Sequence, residues 1–434
     1  MRKLLMASVA TLGLVAGVSG TAFAQAAHPP APGSLVVHLN GLLNDQINMI
    51  GSSAMNVGGY KLNPLGMSGY LRLYPGFDAQ TEGGLQYGVA AELRMAYTSA
   101  GTGEDESTEA TTVRRAYAYV GTAQAGFVRF GMTDGPWNLL STGEYYDYGD
   151  GNNWNSDGGV GAAVPGVTAP KALFTSTGAL YTTNKIVYIS PDLFGFKAGF
   201  SYEPNSNAFK EGESCSYASI GCATLASAPG GAGDSRRKNT IEAAVLYAGE
   251  FSGVGVKLGG AYLMAAPIGN STGAPIETIV SPETGSVTHI TGYKTMGVAQ
   301  ISGQVTYAGF LLGANAKTGQ VNTGYHFLMP GQRDLMFYEV TGMYTMGPAT
   351  IGVQYFNNQS AGAYMPYNGL GRTETDYGAD VGVNYALTPH FGVYAVYLYG
   401  HRHQAGYDFI SSTASTAHNN VQSQAISVGT KFKW

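Results

Sequence analysis

The stretch Asp376–Tyr385 reads DYGADVGVNY, and the character of its side chains alternates with a period of two. The odd positions are aromatic or aliphatic: Tyr377, Ala379, Val381, Val383 and Tyr385. The even positions are small or polar: Asp376, Gly378, Asp380, Gly382 and Asn384. Such alternation predicts a β-strand with two unlike faces. A soluble sandwich would also alternate, but a polar face of mostly glycine and small polar groups, with sparse charge, is typical of a strand that borders a water-filled lumen.

The same pattern recurs along the chain in segments of about ten residues. Leu85–Tyr97 is a second clear case, with an apolar face opposite one that carries Glu92 and Arg94. Counting such segments predicts sixteen strands, near residues 35–47, 67–76, 85–98, 112–122, 126–133, 183–190, 196–203, 238–248, 255–264, 294–307, 310–317, 335–345, 349–357, 375–386, 390–400 and 421–434. Short and long connections alternate between them. This asymmetry predicts an all-β fold, a transmembrane antiparallel β-barrel with short turns at one end and long loops at the other.

Composition excludes several other classes. The chain has 434 residues, of which 12% are charged and 12% aromatic. The charged share is about half the roughly 25% of soluble proteins, and the aromatic share is too high for a disordered chain. The net charge of −5, without a basic block, argues against a nucleic-acid partner.

The first residues predict export. Arg2 and Lys3 precede an apolar stretch, and Ala22-Phe23-Ala24 resembles a signal-peptidase site, so residues 1–24 are expected to be a signal peptide. Removing them leaves 21 basic and 28 acidic residues, a net charge of −7. No later stretch has the roughly 18–20 consecutive apolar residues of a transmembrane helix. Residues 25–434 are therefore expected to form a single barrel domain.

The last strand carries a family resemblance. Ile426, Val428, Thr430, Phe432 and Trp434 alternate with small or basic residues, and the chain ends on an aromatic residue. In this strand, in the Val113–Tyr117 stretch and in the Gly126–Gly131 strand behind it, the sequence resembles the Gram-negative outer-membrane porins. Their final aromatic is most often Phe, so Trp434 is a mild departure. The resemblance implies sixteen strands, a homotrimer in outer-membrane lipid, and a third outer loop that folds into the lumen.

The long connection Asp134–Thr182 follows the fifth strand and is the candidate for that inward loop. It contains Glu144, Asp147, Asp150 and Asp157. Alternation predicts that Arg72, Glu92, Arg94 and Arg129 face the lumen. Arg115 is also a candidate for the pore lining, although the flanks of Arg114 and Arg115 do not fix which face either takes. Arginines on the wall opposite acids on the loop would create a transverse field in a constriction. The alternatives are arginines that neutralise nearby acids or stabilise a trimer contact, and loop acids that are simply solvated.

Two further groups of residues are candidates for smaller sites. Cys215 and Cys222 share a loop of an exported chain, so a disulfide is expected and a metal pair is the less favoured alternative. His401, His403 and His418 could bind a metal, but exposed loop histidines are usually solvated. The sequence contains no Gly-x-Ser-x-Gly or His-Glu-x-x-His motif. No catalytic, metal or cofactor site is predicted.

The sequence therefore predicts a channel that is not an enzyme, through which small hydrophilic solutes and ions diffuse passively across the outer membrane. A porin selective for sugars or organic acids is a second interpretation, and the aromatic residues between Trp137 and Trp154 could supply its binding path. A barrel-embedded enzyme and a purely structural or adhesive barrel are further alternatives. Sixteen strands leave an aqueous channel, which argues against a filled structural barrel.

Overall fold

The computed structural model describes residues 30–57, 60–61, 63–98, 111–144, 147–151, 153–155, 159–176, 182–205, 237–267, 277–280, 287–363 and 373–434. The predicted signal peptide, Asp157, Cys215 and Cys222 lie outside these ranges. No helix within the ranges is long and apolar enough to cross a membrane.

Sixteen long strands form the fold. In chain order they are β1 (Leu35–Ser52), β2 (Leu65–Gln80), β3 (Gln86–Thr98), β4 (Thr112–Thr122), β5 (Gly126–Asp134), β6 (Thr182–Ile189), β7 (Phe196–Asn205), β8 (Arg237–Phe251), β9 (Val254–Pro267), β10 (Met296–Tyr307), β11 (Phe310–Gln320), β12 (Leu335–Met346), β13 (Ala349–Ser360), β14 (Glu374–Thr388), β15 (Phe391–Gln404) and β16 (Asn420–Lys433). Each predicted strand corresponds to one of them. The other described elements are short: helices at Pro136–Leu139 and Val160–Ala163, 3-10 turns at Asn153–Asn155 and Thr323–Tyr325, and three small loop hairpins.

The sixteen strands form one closed antiparallel barrel. Each strand pairs with its neighbours in sequence, and β1 closes the barrel against β16, with Met49 opposite Ile426 and Leu43 opposite Phe432. Closure removes the exposed strand edges that an open sheet would leave in lipid. The predicted transmembrane β-barrel with sixteen strands is thus confirmed.

The alternation read from the sequence matches the two faces of the barrel. On β14, Val381 and Val383 are 40% and 42% exposed on the outer face, whereas the lumen-facing Asp380 is 5% exposed. The outer faces of the other strands likewise expose large apolar side chains. An apolar exterior is what lipid requires of a membrane barrel.

Short turns close one end of the barrel. Strands β10 and β11 are joined by Ala308 and Gly309, with φ angles of 47° and 84°. Two consecutive residues with positive φ define a type I′ turn, whose twist matches that of the flanking strands, and glycine adopts this conformation at little cost. The connections at the other end are longer. The third of them, residues 135–181 between β5 and β6, is called the third loop below.

Candidate functional site

The lumen face of β2–β5, called the arginine wall below, carries every arginine that the sequence placed in the pore. Arg72 on β2 lies opposite Arg94 on β3, and its guanidinium lies 4.4 Å from the ring centroid of Tyr70. The outer-face neighbours of Arg129 on β5, Val128 and Phe130, are exposed, so Arg129 points to the lumen. Its guanidinium lies 5.3 Å from the ring centroid of Tyr117.

Glu92 lies at the centre of the arginine wall. Its carboxylate accepts hydrogen bonds from Arg94 Nε at 2.6 Å and from Arg114 at 2.8 Å. Arg115 lies 3.1 Å from the same carboxylate and 2.8 Å from Asp134. One carboxylate thus contacts three guanidinium groups, an arrangement that places more positive than negative charge in a small region.

A β-bulge explains why two consecutive arginines point the same way. Glu92 pairs with Arg115, but the next residue, Leu93, pairs with Val113, so Arg114 is an extra residue on β4. A bulge leaves two residues of one strand opposite a single residue of its partner and redirects a side chain. Both Arg114 and Arg115 therefore reach Glu92. Strict alternation could not have assigned their faces, because the alternation changes phase at Arg114.

The described residues of the third loop pack mainly against the lumen face of β9–β16, called the covered wall below, and the Trp137 backbone N–H also donates to Glu242 of β8. Trp137 and Phe174 of the loop are 2% and 0% exposed. They belong to one apolar cluster together with residues of the covered wall and of the connection after β11: Leu263, Val298, Tyr325, Phe337, Phe356, Val396 and Leu398. The Phe174 ring makes edge contacts with Phe337 and Phe356, at centroid distances of 5.8 and 5.4 Å. This part of the interior is therefore dry and close-packed.

Directed hydrogen bonds fix the same loop. Trp137 Nε1 donates to the Tyr325 hydroxyl at 2.9 Å, and that hydroxyl donates to the Phe174 carbonyl at 3.1 Å. Tyr148 Oη donates to Asp380 at 2.5 Å. Burial raises the pKa of Tyr148 and of Tyr325, so both phenols remain neutral hydrogen-bond donors.

A pair of glycines makes room for the Tyr148 ring. Gly352 and Gly382 lie opposite each other on β13 and β14. A Cβ atom added to Gly352 would lie 2.1 Å from the ring, and one added to Gly382 would lie 3.0 Å from it. Larger residues at these positions would displace the loop from the wall.

The acids predicted for the constriction have different surroundings. Glu144 forms a buried ion pair with Lys317 of β11 and accepts hydrogen bonds from the backbone N–H and hydroxyl of Thr175. The Asp150 carboxylate accepts hydrogen bonds from the backbone N–H groups of Asn153 and Val160, at 2.7 and 2.5 Å. These contacts stabilise the loop itself.

Asp147 is exposed, and its backbone carbonyl accepts a hydrogen bond from Asn384 at 3.0 Å. Asp157 lies outside the described residues, so its place in the predicted constriction stays a prediction. The role of the third loop as a constriction is likewise a prediction.

Arg402 of β15 connects the covered wall to two loops. Its guanidinium donates to Asp376 and Glu374 of β14 and to the carbonyl oxygens of Gly166 and Val167 in the third loop. Its guanidinium carbon also lies 4.3 Å from the ring centroid of Phe409 in the loop after β15. One buried cation thus holds the wall, the third loop and the last loop together.

Several charged residues of the lumen were not among the site residues predicted from the sequence. Lys317 and Arg402 are two of them. Others form buried ion pairs, such as Lys185 with Glu242 at 2.6 Å and Arg237 with Glu203 at 3.2 Å. Their positions follow from alternation, because each lies on the face opposite the exposed apolar residues of its strand. Alternation alone, however, does not reveal which of these charges are paired.

The histidines considered for a metal do not share a site. His401 stacks on Tyr377 with 4.8 Å between the ring centroids, whereas His418 Nδ1 lies 3.0 Å from Asp408 in the last loop. Across the described ranges, no group of three or more His, Cys, Asp or Glu side chains is arranged to hold a metal ion.

Comparison with known proteins places this lumen in context. The family model of Gram-negative porins matches residues 9–405. No curated protein matches the sequence. Among solved structures, the anion-selective porin from Comamonas acidovorans is 15% identical, with a TM-score of 0.53, and the match covers 92% of this chain and 100% of that one.

Two other solved structures are similar. OmpF of Salmonella typhi, solved with daunomycin, is 15% identical with a TM-score of 0.53, and the match covers 92% of this chain and 97% of that one. The outer-membrane channel DcaP of Acinetobacter baumannii is 13% identical with a TM-score of 0.54, and the match covers 96% of this chain and 99% of that one. At such identities these structures share the barrel fold. With the sixteen-stranded barrel and the match of the family model, the chain belongs to the Gram-negative porin family and is an outer-membrane channel.

Proposed function

We propose that this protein is a passive diffusion channel for small hydrophilic solutes and ions, and that it catalyses no reaction and requires no cofactor. The observation that carries the proposal is the division of the lumen into the charged arginine wall and the covered wall packed against the third loop. Packing the loop on one wall leaves the arginine wall as the polar side along which hydrated solutes would pass. A polar interior within an apolar exterior is the property of water-filled barrels.

The third loop is proposed to form the constriction, with the arginine wall as its opposite side. Support comes from the ion pair of Glu144 with Lys317 and from the hydrogen bond of Tyr148 to Asp380, which fix the loop on a wall remote in sequence. A loop held by buried contacts would narrow the path permanently. Size exclusion would then result from a fixed structure.

The interpretation as a porin selective for sugars or organic acids receives less support. That function would need Trp137 and Trp154 to face water along the path. Both side chains are nearly fully buried in the apolar cluster, where they contact wall residues.

A homotrimer in the outer membrane is proposed as the working assembly. Support comes from the family and from the small outward-facing residues Ala116 and Ala118 on β4, which would allow close packing of two barrels. One solved neighbour, OmpT of Vibrio cholerae, is described as a trimer form. Sedimentation in detergent is expected to give a trimer that dissociates on heating, and a monomer at all concentrations would contradict it. Removal of residues 1–24 on export is part of the same proposal.

Single-channel recording in a planar bilayer tests the proposed function. Purified folded protein should produce stepwise, persistent increases in current at low voltage, because a fixed aqueous path conducts without gating energy. Correct folding would be checked by the change in gel mobility on heating. Folded protein that inserts into the bilayer and gives no current would contradict the proposal.

A further inference from the structure

A group of buried oxygen atoms without hydrogen-bond donors lies between the third loop and the covered wall. Glu339 of β12, Gln354 of β13 and Asp380 of β14 are 1%, 3% and 5% exposed. Both carboxylate oxygens of Glu339, the amide oxygen of Gln354 and Oδ2 of Asp380 have no hydrogen-bond partner in the described ranges. A buried polar atom without a partner is costly, so four such oxygens together point to a ligand that they share.

The strand register brings the three side chains together. Gln354 pairs with Asp380 on one side and with Thr341 of β12 on the other. Thr341 is two residues from Glu339 on the same face of β12. Two strand spacings amount to about 10 Å, a width that the side chains of an aspartate and a glutamate can span toward one ion. Both carboxylates also act electrostatically on the Tyr148 hydroxyl, which places them on the same side of this phenol.

The two acids of this group form no ion pair within the described ranges, and the other charges around them offset one another. Lys317 acts electrostatically on Glu339, but its ammonium group contacts Glu144. Asp150 of the third loop and Lys431 of β16 carry opposite charges. Two buried carboxylates therefore lack a counterion, and a divalent cation would balance both of their charges.

The available atoms are those that a hard cation prefers. Ca²⁺ takes roughly six to eight oxygen ligands from carboxylates, amide carbonyls and water in a flexible arrangement, whereas Mg²⁺ demands near-octahedral geometry. The imidazole and thiolate ligands that zinc favours are absent from the three side chains. The described ranges contain no group of three His, Cys, Asp or Glu side chains that could hold a metal, and this site is of a different kind because its third ligand is an amide.

We propose that Glu339, Gln354 and Asp380 form a structural calcium site behind the third loop. Asp380 binds the ion through Oδ2, while its Oδ1 keeps the hydrogen bonds from Tyr148 and Asn153 of the loop. The ion thereby holds the loop against the covered wall, and it takes no part in a reaction. Because binding does not depend on what passes through the channel, the site can be tested without a conductance measurement.

Calcium binding by the folded full chain in detergent tests this site. After treatment with EDTA and dialysis at neutral pH, calorimetric titration with CaCl₂ is expected to show one site per chain. Tb³⁺, a calcium analogue, should luminesce when Tyr148 and Trp154 are excited, because Trp154 donates to the Ala379 carbonyl next to Asp380. Glu339→Gln should weaken both signals at least about tenfold, since the charge of the ligands governs calcium affinity. Gln354→Met keeps both charges and should weaken them less.

Glu250→Gln is the matched control, because it removes a carboxylate from an exposed position of β8. Its calcium affinity should equal that of the wild type. Added Ca²⁺ should raise the urea midpoint of both proteins but not that of Glu339→Gln, because a ligand stabilises only the state that binds it. The change in gel mobility on heating confirms that each variant is folded, and Gln354→Met serves for the comparison if Glu339→Gln does not fold. Folded wild-type protein that binds no calcium, as expected if the two carboxylates share a proton, would overturn the inference. Equal affinities for the wild type and both folded ligand variants would overturn it as well.

Discussion

The arginine wall and the covered wall belong to the same barrel but are built for different surroundings. The arginine wall places Arg94, Arg114 and Arg115 around Glu92. The covered wall places Phe337 and Phe356 against Phe174 of the third loop. A strand with one polar and one apolar face suffices where the lumen holds water, whereas a covered lumen face must pack against apolar loop side chains and supply a partner for each polar one, as Lys317 does for Glu144. The difference indicates that charge controls passage on one wall and packing controls stability on the other.

The largest effect is expected from Phe174→Ala. Removing a ring that is fully buried between two others should lower the free energy of unfolding by about 3–5 kcal/mol, because it loses burial and leaves a cavity. Urea unfolding in lipid vesicles measures this free energy of unfolding. The control is Phe130→Ala on the outer face of β5, where the ring is 51% exposed to lipid; this change leaves no cavity in the protein, so the loss should be smaller. Equal losses for the two variants would show that the covered wall is not packed.

A somewhat smaller effect is expected from Glu144→Gln. The substitution leaves Lys317 buried without its carboxylate, which should lower the free energy of unfolding by about 3 kcal/mol. Pairing it with Lys317→Met should recover most of this loss, because neither residue of the pair is then left as an unpaired charge. Urea unfolding of the single and double variants gives the comparison. If the double variant were less stable than Glu144→Gln, the ion pair would not be the reason for the loss.

On the arginine wall, the same kind of substitution should affect passage more than stability. Arg129→Gln removes a partly exposed cation whose described contact is the Tyr117 ring, so the free energy of unfolding should fall by less than about 1 kcal/mol. The permeability ratio of chloride to potassium should nevertheless fall. Unfolding and reversal-potential measurements on one preparation separate the two effects. A large loss of stability with unchanged selectivity would reverse the roles of the two walls.

The smallest effect on stability is expected in the loop after β15. The Phe409 ring of this loop contacts the guanidinium of Arg402 on the covered wall. Burial would raise the pKa of Asp408, but hydrogen bonds from His418 and from the backbone N–H groups of Ser411 and Ile410 hold it below its ordinary value. A depressed pKa adds stability above the unfolded value of about 3.9, and this contribution is lost as the pH falls through the lower folded value.

NMR titration of the Asp408 carboxyl checks this. The midpoint should lie below about 3.9 in the wild type and move upward in His418→Gln. A wild-type midpoint at or above the ordinary value would contradict the role of the hydrogen bonds.

Local patterns were sufficient to predict the barrel. All sixteen strands were predicted because exposed and buried side chains alternate along them, as at Val381 and Asp380. The outer face must be apolar because it contacts lipid, whereas the face toward a water-filled lumen can be polar. The bulge at Arg114 could not be predicted. An extra residue on β4 is recognised only when its pairing partners on β3 are known, and the sequence of β4 does not reveal them. A signal for the covered wall was present in Leu335–Met346, which begins with apolar residues on both faces. The partner that covers them is remote in sequence, so alternation alone could not identify it.

Reactivity of introduced cysteines to a negatively charged methanethiosulfonate tests the difference between the two walls most directly. In a background with Cys215→Ser and Cys222→Ser, Arg129→Cys on the arginine wall should react rapidly from the aqueous phase and change the single-channel current. Val298→Cys on the covered wall, where the native side chain is 0% exposed, should not react while the protein is folded. Modification of Val298→Cys at a rate similar to that of Arg129→Cys would contradict the division of the lumen into a conducting wall and a packed one.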